Sequence, residues 1–236
     1  SDSGANVIFG SEPSVVFTNV DNVITGAGQL GAGQMTLVNE GTIIADGTNA
    51  LVIDTGSNVV TNSGTLESSG SGGLVVDSLL VNGGNLWADG GNITLHGGVS
   101  GGGSATISGT ATLEFGGVSD QDVTFDSSAA GTLKLDAGSN FSGSVSGFDA
   151  DDRLDLRDLL EGEHGGGVEA NLADYLSFTS GNGGTDTVIQ VSSHGGGAAG
   201  VDQTIVLQGV DMATLGADDS AIINNLLASN RLLVDA

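Results

Sequence analysis

Five aspartates crowd one short segment: Asp149, Asp151, Asp152, Asp155 and Asp158, with Glu161 and Glu163 just beyond. Carboxylate oxygens at this density suit Ca2+, a hard cation that takes about six to eight oxygen ligands. In an extended segment Asp149 and Asp151 share one face, with Asp152 opposite. Arg153 and Arg157 lie in the same stretch and offer the other outcome, a salt-bridged cap or solvated loop. Asp186, Asp202 and Asp211 are scattered further candidates for the same cation. A second group lies earlier in the chain. Asp54, Asp77 and His96 each follow a short apolar run, and they form a column if those runs stack. Such a column is the one arrangement here capable of acid–base work; its plainer reading is a solvated turn edge. His164 and His194 sit in Gly-rich loops with no second His at ligand spacing, which argues against zinc. Cysteine is absent, so there is no thiolate metal site and no Cys nucleophile. Trp87 and Tyr175 stand alone, where a carbohydrate platform needs a patch of exposed rings, and are read as packing residues.

The elements that must position these residues repeat. Val38-Asn39-Glu40-Gly41-Thr42-Ile43 precedes the apolar run Ala50 to Ile53. Thr61-Asn62-Ser63-Gly64-Thr65-Leu66 precedes Leu74 to Val76, and Val81-Asn82-Gly83-Gly84-Asn85-Leu86 precedes Ile93 to Leu95. Weaker copies follow at Ala105-Thr106-Ile107, Thr112-Leu113-Glu114-Phe115, Val123-Thr124-Phe125 and Thr132-Leu133-Lys134-Leu135. A period of about 20 residues holding two or three short strands reads as one coil of a solenoid, since a single coil cannot bury its own apolar side. Asn39, Asn62 and Asn82 then lie above one another and can hydrogen-bond along the stack, a structural ladder. Gly41, Gly64 and Gly84 fall at matched places, where a bend with positive φ is expected. Before about residue 150 no segment shows helical spacing. The runs Gly97-Gly98 and Gly101-Gly102-Gly103 have neither the following helix nor the Lys of a phosphate loop.

Composition shifts near residue 147, which divides the chain into 1–147, a repeat region, and 148–236, a small β-rich cap. In the second part strands are expected around Tyr175 to Phe178, Thr187 to Val191 and Gln203 to Leu207. Asp218 to Leu227 predicts one short helix, capped by Asp218 or Asp219, with Ile222, Ile223, Leu226 and Leu227 on its apolar face. Leu232-Leu233-Val234 reads as a last strand.

Bulk composition excludes several classes. Asp and Glu number 29 against four Lys and Arg, a net charge of −25. Such a chain repels nucleic acid and anionic lipid. No apolar run reaches the ~20 residues of a membrane span. Gly is 42 residues and Pro one, with no G-X-Y period, which excludes collagen and disfavours a disordered tail. The start, Ser1-Asp2-Ser3-Gly4, has no basic and apolar leader, so either the chain is a fragment or its export signal lies elsewhere.

Two resemblances add to this. Asn22-Val23-Ile24-Thr25-Gly26, Asn39-Glu40-Gly41-Thr42-Ile43, Asn62-Ser63-Gly64-Thr65-Leu66 and Gly109-Thr110-Ala111-Thr112-Leu113 resemble the β-strand repeats of large bacterial surface proteins and autotransporter-like passengers. That resemblance implies an all-β fold, a right-handed parallel β-helix. From about residue 153, Leu172-Ala173-Asp174-Tyr175-Leu176, Gly184-Thr185-Asp186-Thr187-Val188, Gln203-Thr204-Ile205-Val206-Leu207, Ile222-Ile223-Asn224-Asn225-Leu226-Leu227 and Leu232-Leu233-Val234 resemble the C-terminal target domain of type I secreted giant adhesins and RTX-like proteins. This implies export by type I secretion machinery, an uncleaved signal that includes Ile222, Ile223, Leu226, Leu227, Leu232, Leu233 and Val234, and folding outside the cell with Ca2+. The Asp- and Gly-rich nonapeptide array of RTX proteins is not repeated; Gly181-Asn182-Gly183-Gly184-Thr185-Asp186 is a single partial echo. The combined expectation is an extracellular, non-catalytic structural or adhesive protein with a surface or polysaccharide ligand. Its first coil, near Val7-Ile8-Phe9, is expected to join copies head to tail into filaments or a surface layer. Two rivals remain: a β-helix carbohydrate-active enzyme, and a passive stalk carrying an export signal.

Overall fold

The computed structural model describes residues 1–127, 129–161 and 172–234; Glu163, His164 and the Gly165–Gly167 loop lie outside the described residues. The described strands are short, and the chain winds them into three long sheets of nine, seven and ten strands. It visits the sheets in turn. The first coil is Val7–Ile8, Val16–Asn19 and Val23–Thr25, the second Gly28–Leu30, Thr36–Asn39 and Thr42–Ala45, and so on for about seven turns. Successive coils pair in parallel and in register. In the first sheet Leu51, Leu74, Ile93, Leu113, Leu133 and Leu154 form one continuous column. The fold is therefore the all-β parallel β-helix that the repeats predict.

Alternation builds the core. In Thr42–Ala45, Thr65–Ser68, Thr112–Phe115 and Thr132–Leu135 every second residue is buried. A strand's side chains alternate between faces, so each strand sends one row inward. Each buried Leu or Ile contributes about 1.5–3 kcal/mol, but only when coils above and below cover it. Towards the C-terminal end the core turns aromatic: Phe115 packs on Phe141 at 5.8 Å and Phe125 meets Phe148 edge-on at 5.7 Å.

The matched glycines have a different cause from the one expected. Gly41, Gly64 and Gly84 are not among the positive-φ residues. They are needed because successive turns touch: a Cβ on Gly64 would lie 1.9 Å from the Gly41 carbonyl oxygen, and one on Gly84 would lie 2.1 Å from that of Gly64. The constraint is backbone-to-backbone contact between coils.

The two ends differ. At the C-terminal end, Arg153–Asp155 and then Leu232–Leu233 extend the first sheet. Gln203–Gln208 extends the third sheet in parallel and folds back through antiparallel Asp186–Val191 and Leu176–Gly181. The second sheet stops at Asn140–Phe141. The helix Asp219–Ala228 begins at Asp218, whose carboxylate accepts from the Ala221 N–H, and it buries Ile222, Ile223 and Leu226. An additional single turn of helix, Met212–Leu215, precedes it; four residues are too few to show a period in sequence. Among the described residues no helix is long and apolar enough to cross a membrane.

Candidate functional site

The asparagines form one buried chain of amides. Asn19 donates to Asn39 at 2.8 Å, Asn39 to Asn62 at 2.7 Å and Asn62 to Asn82 at 2.6 Å. Each Nδ2 also reaches a carbonyl of its own turn, such as Gly41 from Asn39 and Gly64 from Asn62. The ladder extends beyond the three expected members. In the next coil its position is Gly101, and Gln121, one coil further, reaches across the gap so that Asn82 donates to Gln121 Oε1 at 2.6 Å. Gln121 is one methylene longer than Asn, the extra reach that a missing rung demands. Every group is paired, so the ladder binds coils together and offers nothing to a ligand.

Asp54, Asp77 and His96 do stand in one column, because Ile53, Val76 and Leu95 before them are paired in register. His96 Nδ1 lies 2.6 Å from Asp77 Oδ1, and both side chains are about half exposed. Asp54 is turned to the Gly56 N–H instead. Trp87, paired with Glu67 and Thr106, stands on the outer face of the third sheet and donates to Ser108 Oγ at 3.1 Å.

A denser cluster escaped the sequence reading. On the outer face of the first sheet Glu114 and Lys134 are register partners. Lys134 Nζ lies 2.9 Å from Glu114, 3.1 Å from Asp136 and 2.7 Å from Asp158. Burial works to raise the Glu114 pKa, but Lys134 outweighs it and holds the carboxyl below its ordinary value. Burial alone lowers Lys134; its three carboxylate partners reverse this and raise it. Burial, reinforced by the Glu114 charge, pushes Asp136 upward despite Lys134. The arrangement is a saturated ion cluster, with the cation already in place.

The acidic segment does not gather into a chelate. It bends where an extended run was expected: the Asp149 carboxylate accepts from the Asp151 N–H, and the Asp149 N–H donates to Asp152. Asp149 and Asp151 therefore do not share a strand face. Asp152 is buried and also accepts from the Gly131 N–H; burial, then the charges of Asp149 and Asp151, push its pKa up. Asp155 is held by both Nε and Nη2 of Arg157, at 2.9 and 2.6 Å. Arg153 donates to the Ala130 carbonyl, and Arg231 lies 4.7 Å over the Phe148 ring. Asp158 belongs to Lys134, Asp186 accepts from the Gly209 N–H, and Asp211 caps Met212–Leu215. Among the described residues no three His, Asp or Glu come together in a way that would hold a metal ion. Asp149, Asp151, Asp152, Asp155, Asp158 and Asp186 are thus not gathered into one such group.

His194 has company that its sequence neighbourhood hid. Ser193 Oγ lies 2.8 Å from His194 Nδ1, and His194 Nε2 lies 3.2 Å from Glu161. The Ser193 hydroxyl donates to Asp202 at 2.6 Å, and the Ser193 N–H meets the same carboxylate. A nucleophilic serine must offer its proton to the imidazole; here the proton goes to Asp202, and the group ties two loops together. The residues of the implied export signal are mostly inside: Ile222, Ile223, Leu226 and Leu232 are buried, with Leu227 and Val234 packed partly against the core.

The first coil is the opposite case. Its strands are the free edges of all three sheets, and Phe9, Val16 and Val23 are 61%, 60% and 63% exposed. Comparison with models of known families, with curated proteins and with solved structures finds no match.

Proposed function

We propose that this chain is a non-catalytic structural and adhesive module of a bacterial surface protein, exported by type I secretion and working outside the cell. The observation that carries the reading is the stack itself: coils paired in parallel and in register, tied together by the buried Asn19–Asn39–Asn62–Asn82 ladder, whose polar groups are all paired within the stack. Edge strands template further strands, so the partner that fits Val7–Ile8, Val16–Asn19 and Val23–Thr25 is another coil of the same design, of this protein or of a copy. At the other end Gln203–Gln208 and Leu232–Leu233 continue two of the sheets, and the Phe141 N–H of the second donates to Gln203, so association through the first coil is favoured over head-to-tail growth. Cations enter as counter-ions that relieve the charge of −25, since the described aspartates make no shared site. The export reading rests on the resemblance of residues 153–236. Burial of the signal side chains agrees with a signal read before the chain folds.

Light scattering with electron microscopy of the same sample, in chelator and then in millimolar Ca2+, tests this reading. Formation of dimers supports it, and more so if Val16→Asp abolishes them; longer rods would mean that the C-terminal end associates as well. A folded monomer under every condition removes assembly and leaves a stalk. A second reading, a carbohydrate-active enzyme, is favoured by the single Asp77–His96 contact. Polysaccharide turnover lost in Asp77→Asn would put it first.

A further inference from the structure

The outer face of the second sheet carries an apolar stripe that the solenoid itself does not use. Register places Val59, Leu79, Gly98 and Val118 in one outward column, because Val60, Leu80, Val99 and Ser119 beside them are paired and buried. Leu79 is 57% exposed and Val118 60%, with Val81 at 40% in the adjoining column. The column is interrupted on one side by Thr36, beyond which lies Val16, and on the other side it meets Asn140. Between Leu79 and Val118 the absence of a side chain on Gly98 leaves a notch. A Cβ there would meet Val118 O at 3.5 Å, Leu79 Cδ2 at 3.6 Å and Val118 N at 3.9 Å, ordinary contacts. The resulting hollow has a volume of about 340 Å3 and an almost wholly apolar lining. Across four coils the stripe runs about 14 Å, the length of a short peptide segment.

Its rims are acidic. Asp54 and Asp77 stand on the turn that leads into the stripe, and Asp120 follows Val118 on the far side. These charges decide what can cover it. A second copy would bring like rims together on molecules each carrying −25, and a stripe of four exposed side chains is small beside the roughly 800 Å2 per partner of a stable dimer. An anionic or purely polar partner gains nothing from the aliphatic floor. A segment with aliphatic side chains flanked by Lys or Arg satisfies both features. We propose that this stripe is a docking groove for a cationic, aliphatic peptide segment of a partner protein. One branched side chain enters the notch over Gly98, and flanking cations meet Asp54 and Asp120, while Asp77 is already paired with His96. In the same column Thr36 separates the groove from Val16 of the first coil.

The probes are three synthetic peptides: a Lys-rich twelve-mer with a central Leu-Val-Leu, the same peptide with Ser replacing those three residues, and the same with Glu replacing Lys. Calorimetric titration at about 0.1 M salt is expected to show one saturable site for the first peptide. Replacing the aliphatic residues is expected to weaken binding at least about tenfold, and the acidic peptide is expected not to bind. Gly98→Val, which fills the notch with room for its Cβ, is expected to weaken the first peptide by about the same factor without lowering Tm. Leu79→Ser is a surface change that should act in the same direction. Equal binding of the Ser peptide would reduce the effect to non-specific charge and overturn the proposal. Unchanged affinity in both variants would also overturn it. So would a dimer that Leu79→Ser dissolves, since the groove would then belong to a second copy.

Discussion

At the scale of single residues the strongest statement concerns Asn62. Its amide is buried, donates to Asn82 and accepts from Asn39, so it joins the two halves of the ladder. Asn62→Ala leaves those neighbours short of a partner and is expected to cost about 1–3 kcal/mol. Asn62→Asp is the sharper test. A carboxylate is an acceptor only, and it would face Asn82 Oδ1 and the Gly64 carbonyl, which the native Nδ2 serves. Buried against two acceptors, with Asn39 still donating to it, its pKa is expected to rise. Protonation then restores a hydrogen to donate, so the variant regains stability as pH falls. Urea unfolding should show Asn62→Asp below Asn62→Ala at pH 7, with the gap closing towards about pH 5. A gap independent of pH would mean that the position is governed by shape alone. The ladder was legible in sequence for Asn39, Asn62 and Asn82, because the same Asn-x-Gly spacing recurs. Gln121 was not, because its residue type differs and Gly101 interrupts the repeat.

At the scale of elements, the Lys134 cluster ties the sixth and seventh coils to the segment that closes the stack. Glu114 has a lowered pKa, so its contribution is present above its ordinary value and is lost as pH falls through the depressed one. Lys134 has a raised pKa, so its contribution is complete below about 10.4 and is lost as pH climbs through the raised one. The cluster therefore stabilises from about pH 5 to about pH 10. Lys134→Met leaves Glu114, Asp136 and Asp158 facing one another, and is expected to cost about 1–3 kcal/mol at neutral pH. The deficit should shrink below about pH 4, where the carboxylates take up protons. Chemical unfolding of both proteins from pH 3 to pH 8 measures it, and a constant deficit would reduce the role of Lys134 to packing. Strand positions and the helix start at Asp218 followed from alternation and cap chemistry, both local. The cluster was hidden because Glu114 and Lys134 are neighbours only once two coils are set in register. The acidic segment shows the opposite case. Its five aspartates are close in sequence, yet bending turns Asp149 and Asp152 towards backbone N–H groups and Asp155 and Asp158 towards cations.

At the scale of the whole molecule, a coil is stable only as far as its neighbours cover it. Solenoids are nearly one-dimensional, so stability is a sum over coils and the interfaces between them. Coils in the middle have two interfaces. The last coil has its closing strands, Gln203–Gln208 and Leu232–Leu233. Among the described coils the first is covered on one side, with Phe9, Val16 and Val23 largely exposed. Crowding of like charge, at a net −25, opposes the stack throughout and is felt most where least packing offsets it. Opening should therefore start at Val7–Ile8, Val16–Asn19 and Val23–Thr25 and progress inward. Native-state hydrogen exchange reads this directly. Amides of Val16–Asn19 and Val23–Thr25 are expected to exchange at least about a hundredfold faster than those of Ile93–Leu95 and Thr112–Phe115. The same measurement bears on the proposed function: a coil docked on the open end gives the first coil its second interface, so association should slow those amides first and leave the central ones unchanged. Uniform exchange along the stack would mean that the first coil is held as firmly as the rest, and the argument that its exposed edge calls for a partner would fall with it.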